Sequence, residues 1–103
     1  ILSALPNEIR IEGHTDSGAI RPGGELERQF GNNWGLSSAR AIVVLERLFE
    51  SDQTGQLDRN KYSIAGYADT RPVASNDLPD GRALNRRVDI VVVRNDVTYY
   101  NQR

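Results

Sequence analysis

Asn33, Ser37 and Arg40 stand at i, i+4 and i+7, so on an α-helix they form one stripe over the first two turns. The amides of a helix start and the positive end of its dipole attract an anion, and a guanidinium further along can clamp a carboxylate with two parallel hydrogen bonds. The same spacing also describes a capped helix whose arginine pairs with a nearby acid. A candidate for the opposite charge is Asp16. It closes the segment Ile11-Glu12-Gly13-His14-Thr15-Asp16, which returns as Ile64-Ala65-Gly66-Tyr67-Ala68-Asp69. Each copy ends a strand-like run and opens a stretch of turn formers, and the glycine inside it lets another backbone or a ligand approach. Each aspartate either caps its own turn or serves a ligand. If the helix packs back across the sheet, Asp16 and Arg40 share one edge. Such a pair can hold a zwitterion, an amino acid or a peptide end, with charge-assisted hydrogen bonds worth roughly 1.5–3 kcal/mol each when shielded from water.

A third cluster, Gly81 to Arg87, carries Arg82, Arg86 and Arg87. Nucleic acid is disfavoured as the partner, because 13 basic residues face 14 acidic ones for a net charge of -1, and no aromatics interleave with these arginines. Catalysis finds little support: His14 is the only histidine, and no nucleophile stands beside a base in any local signature. A hydrolase using His14 and Asp16 is the least supported reading. With no cysteine and one histidine the chain shows no spaced metal-ligand set, so neither a metal nor a cofactor is expected.

The elements that must position these groups follow from periodicity. The 103 residues make one domain, 38% hydrophobic and 26% charged, as a globular fold requires. Ile1 to Leu5 reads as the tail of a helix stopped by Pro6, and Glu8 to His14 as a half-buried strand. Residues 17–32, with Gly18, Pro22, Gly23, Gly24 and Gly31, read as a long loop and a candidate recognition loop. Asn33 is read as the N-cap of a helix over Trp34 to Glu50 with Ala41, Ile42, Leu45, Leu48 and Phe49 on its apolar face. Tyr62 to Ala68 is then a second strand, parallel to the first because a helix crosses between them. Asp80 is expected to cap a short helical turn ending at Asn85, and Val88 to Val93 reads as a central strand buried on both faces. Residues 95–103 read as a polar tail with Tyr99 and Tyr100 as anchors. No apolar run reaches the roughly twenty residues of a membrane span, and no signal peptide opens the chain.

Together the motifs resemble an OmpA-like domain, the peptidoglycan-binding module of outer-membrane proteins, Pal lipoproteins and the flagellar stator protein MotB. The residues that carry the resemblance are Ile11 to Asp16, Asn33 to Ala41, Gly66 to Asp69 with Pro72-Val73-Ala74 and Asn76, and Gly81-Arg82-Ala83 with Asn85 to Val88. The long loop and the Asn-Trp before the helix lean toward the MotB-like branch. The resemblance implies an α+β, βαβαβ-type two-layer sandwich with a mixed sheet, whose first strand and most of whose first helix are expected to be absent from this chain. It implies non-covalent, non-enzymatic binding of the diaminopimelate in the peptidoglycan stem peptide. Asp16 and Arg40 would grip that residue, Asn33 and Arg86 would line the same pocket, and Thr15 would contribute mainly backbone. Asp69 would shape its own loop. The expected setting is a Gram-negative periplasm, with a membrane-anchored parent protein tethered to the wall. An open sheet edge would be available to a second copy. The rival reading is a protein-interaction module of an envelope complex without wall binding.

Overall fold

Alternation from Ile9 to Gly13 places Ile9 and Ile11 on one face, and the computed structural model, which describes residue 2 and residues 6–93, buries both completely. The elements run β1 (Ile9–Gly13), α1 (Glu25–Phe30), α2 (Asn33–Glu50), a 3-10 turn (Arg59–Lys61), β2 (Tyr62–Gly66), α3 (Pro79–Asn85) and β3 (Val88–Val92). The sheet order is β2-β1-β3, with β1 and β2 parallel and β1 and β3 antiparallel. This is the mixed sheet of an α+β fold. Helix α2 crosses between the parallel strands and packs on both, closing the core of Ile9, Ile11 and Ala41 against Val44, Leu45, Tyr62, Val88 and Leu2. Each buried isoleucine contributes roughly 1.5–3 kcal/mol.

The repeated segment is the parallel pair itself. Ile11 lies opposite Ile64 and Gly13 opposite Gly66. Beyond the strands the match continues: Tyr67 N–H donates to Gly13 O at 3.0 Å and Thr15 N–H to Ala68 O at 2.8 Å. The His14 and Tyr67 rings stack with centroids 5.4 Å apart. Both glycines lie under α2. A Cβ on Gly13 would collide with the Ser37 carbonyl oxygen, and one on Gly66 with the Ser38 side chain and amide. The repeat therefore encodes a close helix–sheet contact, for which Ser37 and Ala41 supply the small, fully buried counterparts.

Several expectations are corrected. Val88–Val92 is an outer strand of the described sheet, not its centre, with Ile90 48% and Val92 44% exposed, because α2 lies chiefly over β1 and β2. Ile42 is exposed, since the helix turns Ser37, Ala41, Val44 and Leu45 inward. Residues 17–32 are not structureless: Glu25 receives hydrogen bonds from Arg28 and Gln29 and forms the turn of α1. The N-cap of α2 is Asn32, whose Oδ1 accepts from Gly35 N–H at 3.1 Å, which places Asn33 inside the helix. Asp80 lies in the first turn of α3 behind Pro79, while Leu78 occupies the cap position without a side-chain bond. The expected helix tail at residues 1–5, apart from residue 2, and the polar tail at 95–103 lie outside the described residues.

Candidate functional site

Where β1 ends, the chain turns at Asp16. Its Oδ1 accepts the Gly18 N–H at 2.9 Å, so the aspartate does cap its own turn. Its Oδ2 accepts from Arg86 Nη1 at 2.6 Å, just past α3. One carboxylate thus closes a local turn and joins two distant segments. The turn is held from outside as well: Asn33 Nδ2 donates to Gly18 O at 3.0 Å, and Ser17 N–H donates to Asn76 Oδ1 at 3.3 Å.

Arg40 approaches from the second turn of α2, where its Nη1 donates to His14 O at 2.9 Å. This bond pins the guanidinium above the end of β1. Thr15 is buried and turns its hydroxyl to Asp16 O at 2.8 Å, so it offers the site mainly main chain. Thr15, Asp16, Asn33, Arg40 and Arg86 all line one cavity of about 350 Å³. Ser37, the middle member of the helical stripe, does not: its Oγ accepts Ala68 N–H at 3.0 Å and faces the sheet.

Burial alone would raise the Asp16 pKa, and it is the largest single influence. The Arg86 hydrogen bond, the Gly18 amide and the positive charges of Arg86 and Arg40 together outweigh it and hold the carboxyl below its ordinary value. Burial lowers the Arg40 pKa, as does the Arg86 charge, with Asp16 opposing both. The cavity therefore sets one ionised carboxylate against the guanidiniums of Arg40 and Arg86, with Arg21 also on its wall. It can accept hydrogen bonds from an ammonium through Asp16 and has positive charge left over for a carboxylate. Residues that sequence reasoning missed are the apolar wall, Ile20, Leu26 and Leu36. The glycine-rich composition of 17–32 marked that loop for recognition but not which of its side chains would face inward.

His14 belongs elsewhere. Its ring is sealed from solvent, stacks on Tyr67 and lies 3.4 Å from Asp89, and it does not line the cavity. Burial lowers its pKa, reinforced by Arg87 and opposed by Asp89 and Glu12. Glu12, His14 and Asp89 do converge, but Arg10 and Arg87 already pair with the two carboxylates.

A mixed sheet with a helix crossing between its parallel strands, and a carboxylate–guanidinium cavity at the strand ends, defines an OmpA-like, MotB-like domain. Residues 2–86 match the OmpA family, and the chain belongs to that family. It is 35% identical over 98 residues to Motility protein B of Bacillus subtilis (strain 168), covering 95% of this chain and 34% of that protein. It is 37% identical over 92 residues to the peptidoglycan-binding protein ArfA of Mycobacterium tuberculosis (strain ATCC 25618 / H37Rv), covering 88% of this chain and 24% of ArfA. The chain thus spans about a third or less of these relatives. Among solved structures, the cell wall anchor of the T6SS from Pseudomonas aeruginosa matches with a TM-score of 0.65 and 36% identity, covering 88% of this chain and 57% of that one. The C-terminal domain of Helicobacter pylori MotB matches with a TM-score of 0.69 and 28% identity, covering 87% and 61%.

Proposed function

We propose that this chain binds peptidoglycan non-covalently through the diaminopimelate of its stem peptide. In this reading Asp16 accepts from the ligand ammonium and Arg40 clamps its carboxylate. Arg86 keeps Asp16 ionised, while Asn33 and Thr15 shape the rim and the main chain. The observation that carries the reading is the meeting of Asp16, Arg40 and Arg86 in one cavity. The relative named as peptidoglycan-binding and the neighbour described as a cell wall anchor support it. The function is tethering of an envelope or flagellar stator protein to the wall, with the domain in the periplasm and its parent held at a membrane. Among the described residues no helix is long and apolar enough to cross one. The site does no covalent chemistry in this reading, since the sealed His14 ring lies outside the cavity. Retention on purified sacculi, with calorimetric titration of diaminopimelate and of a stem peptide containing it, tests the proposal; no retention and no heat would overturn it.

A second reading, a protein-interaction module of an envelope complex, draws on the exposed Ile90 and Val92 along the outer strand. A second copy pairing there would make a homodimer. Concentration-dependent sedimentation that Ile90→Lys abolishes supports the homodimer, and a strict monomer ends it.

A further inference from the structure

Arg21 stands on the wall of the Asp16 cavity, and its guanidinium makes no hydrogen bond or ion pair among the described residues. The other charges of its loop are engaged. Arg28 pairs with Glu25 at 2.9 Å and donates to Gly23 O at 3.3 Å, while Glu27 accepts Gly23 N–H at 3.1 Å. Across the cavity, Arg40 is bonded to His14 O and Arg86 to Asp16.

The backbone of Arg21 is nonetheless fixed. Gly24 N–H donates to Arg21 O at 3.2 Å, closing a turn with Pro22 and Gly23 at its centre. The proline ring holds Pro22 at negative φ, and Gly23 follows at φ 73°, so the turn is type II and needs glycine at its third position. A Cβ on Gly24 would lie 3.6 Å from Arg21 Cβ and 3.8 Å from its Cδ. The aliphatic stem of Arg21 therefore runs over Gly24, and Arg-Pro-Gly-Gly presents the guanidinium from a defined turn.

Charge decides what that guanidinium can receive. Arg21, Arg40 and Arg86 line the cavity against the single carboxylate of Asp16, three positive charges to one negative. The free end of a diaminopimelate is a zwitterion, one ammonium and one carboxylate, and leaves that excess as it was. A ligand with a second carboxylate beside the zwitterion complements the cavity better. We propose that Arg21 receives a second carboxylate of the stem peptide, so that the site distinguishes stems in which this group is free from stems in which it is amidated. A carboxamide carries no charge and offers only one acceptor atom to a group that can only donate. This role rests on the wall-binding reading and adds the charge state of the ligand to it. Two groups next to the diaminopimelate side chain could supply the carboxylate: the α-carboxyl of the γ-linked D-glutamyl residue before it, and the stem's own carboxyl terminus. Because Arg21 is exposed, the pair is worth less than a shielded one and is weakened by salt.

The test titrates the intact chain calorimetrically at low salt with three forms of L-alanyl-γ-D-glutamyl-diaminopimelate: both of these carboxyls free, the D-glutamyl carboxyl amidated, and the terminal carboxyl amidated. One amidation should weaken binding about threefold to fivefold, and which one does so identifies the carboxylate. The difference should shrink at about 0.3 M salt. Arg21→Gln should bind all three peptides alike, at the affinity of the weaker amidated form. Arg21→Lys, which keeps the charge without the planar fork, should retain part of the discrimination. Equal wild-type affinity for the three peptides, or a loss on amidation that Arg21→Gln leaves unchanged, overturns the role of Arg21 and leaves that of Asp16 and Arg40 in place. Binding of none of the three overturns the wall-binding reading itself, and the role of Arg21 with it.

Discussion

Arg86 Nη1 meets Asp16 Oδ2 at 2.6 Å across a sequence separation of 70 residues, while Gly18 N–H occupies the other carboxylate oxygen. A carboxylate has about four acceptor positions, so roughly two remain for a ligand ammonium. Arg86 thus holds Asp16 ionised without saturating it. Removing the carboxylate leaves the guanidiniums of Arg40 and Arg86, with Arg21 on the same wall, and no carboxylate lining the cavity to balance them. Asp16→Ala and Arg40→Ala should each weaken binding of a diaminopimelate stem peptide at least about tenfold, from the loss of one or more charge-assisted hydrogen bonds. Sacculus pull-down should fail for both while the fold stays intact, with a lower thermal unfolding midpoint for Asp16→Ala because its carboxylate also holds Gly18 N–H and Arg86. Asp69→Ala should retain most of the pull-down. Full retention by both single variants at the Asp16 cavity removes the assignment.

The pH dependence has a definite sign. The folded-state pKa of Asp16 is lowered, so the ionised form survives below the ordinary aspartate value of about 3.9. Its contribution to stability is complete above that value and is lost as pH falls through the lower folded pKa. Stem-peptide affinity that depends on the Asp16 carboxylate should therefore stay level from pH 7 down to about 5 and fall only below about 4. An Arg86→Gln variant takes away the strongest bond to the carboxylate, and its fall should begin at higher pH. Calorimetric titration between pH 3.5 and 7 checks both curves; a wild-type decline that begins near pH 6 contradicts the role of Asp16.

The two repeat glycines should respond unequally to substitution. A Cβ on Gly13 meets the backbone carbonyl of Ser37, which cannot move without displacing α2 from the sheet. On Gly66 the nearest atom belongs to the Ser38 side chain, which can rotate, although the Ser38 amide remains close. Gly13→Ala should therefore cost roughly 1–3 kcal/mol or more, and Gly66→Ala less, by urea denaturation. The reverse order, or no cost at Gly13, would show that the helix does not rest on these positions.

The repeat and the helix stripe were legible because periodicity and glycine placement are local properties of the chain. They yielded β1, α2, β2 and the parallel pairing, and the residues that meet in the Asp16 cavity. What was not legible depended on neighbours. The apolar run Val88–Val92 looks central, yet its burial is set by which face α2 covers, and that is decided by the small residues Ser37 and Ala41 rather than by the run itself. The cap moved from Asn33 to Asn32 because both can cap, and only the approach of Gly18 O gives Asn33 a different partner. Arg86, Arg87 and Arg82 are equivalent in composition but face Asp16, Asp89 and the Asn76 carbonyl respectively, a division set by the place of Arg82 within α3 and of Arg86 and Arg87 in the turn between α3 and β3.

Asn76 is the remaining support of the Asp16 turn. Its Oδ1 accepts both Ser17 N–H at 3.3 Å and Nδ2 of the fully buried Asn85 at 2.8 Å. Asn85 in turn holds the main chain of Val73 and Ala74 through its own oxygen. The loop after β2 and the turn after β1 are therefore fastened through one acceptor atom. Asn76→Ala deletes that acceptor and frees the Ser17 amide, so the turn that carries the Asp16 carboxylate is held less firmly. Stem-peptide affinity should fall about threefold to tenfold, the size of one ordinary hydrogen bond's net contribution. Asn76→Asp keeps an acceptor at the same place and should recover most of that loss. Chemical-shift changes should be confined to the Asp16–Gly18 turn and the loop containing Asn76. An alanine variant that binds as tightly as wild type, or an aspartate variant no better than alanine, would separate the turn from the loop and leave Asn33, Arg86 and the Asp16 bond to Gly18 to hold it.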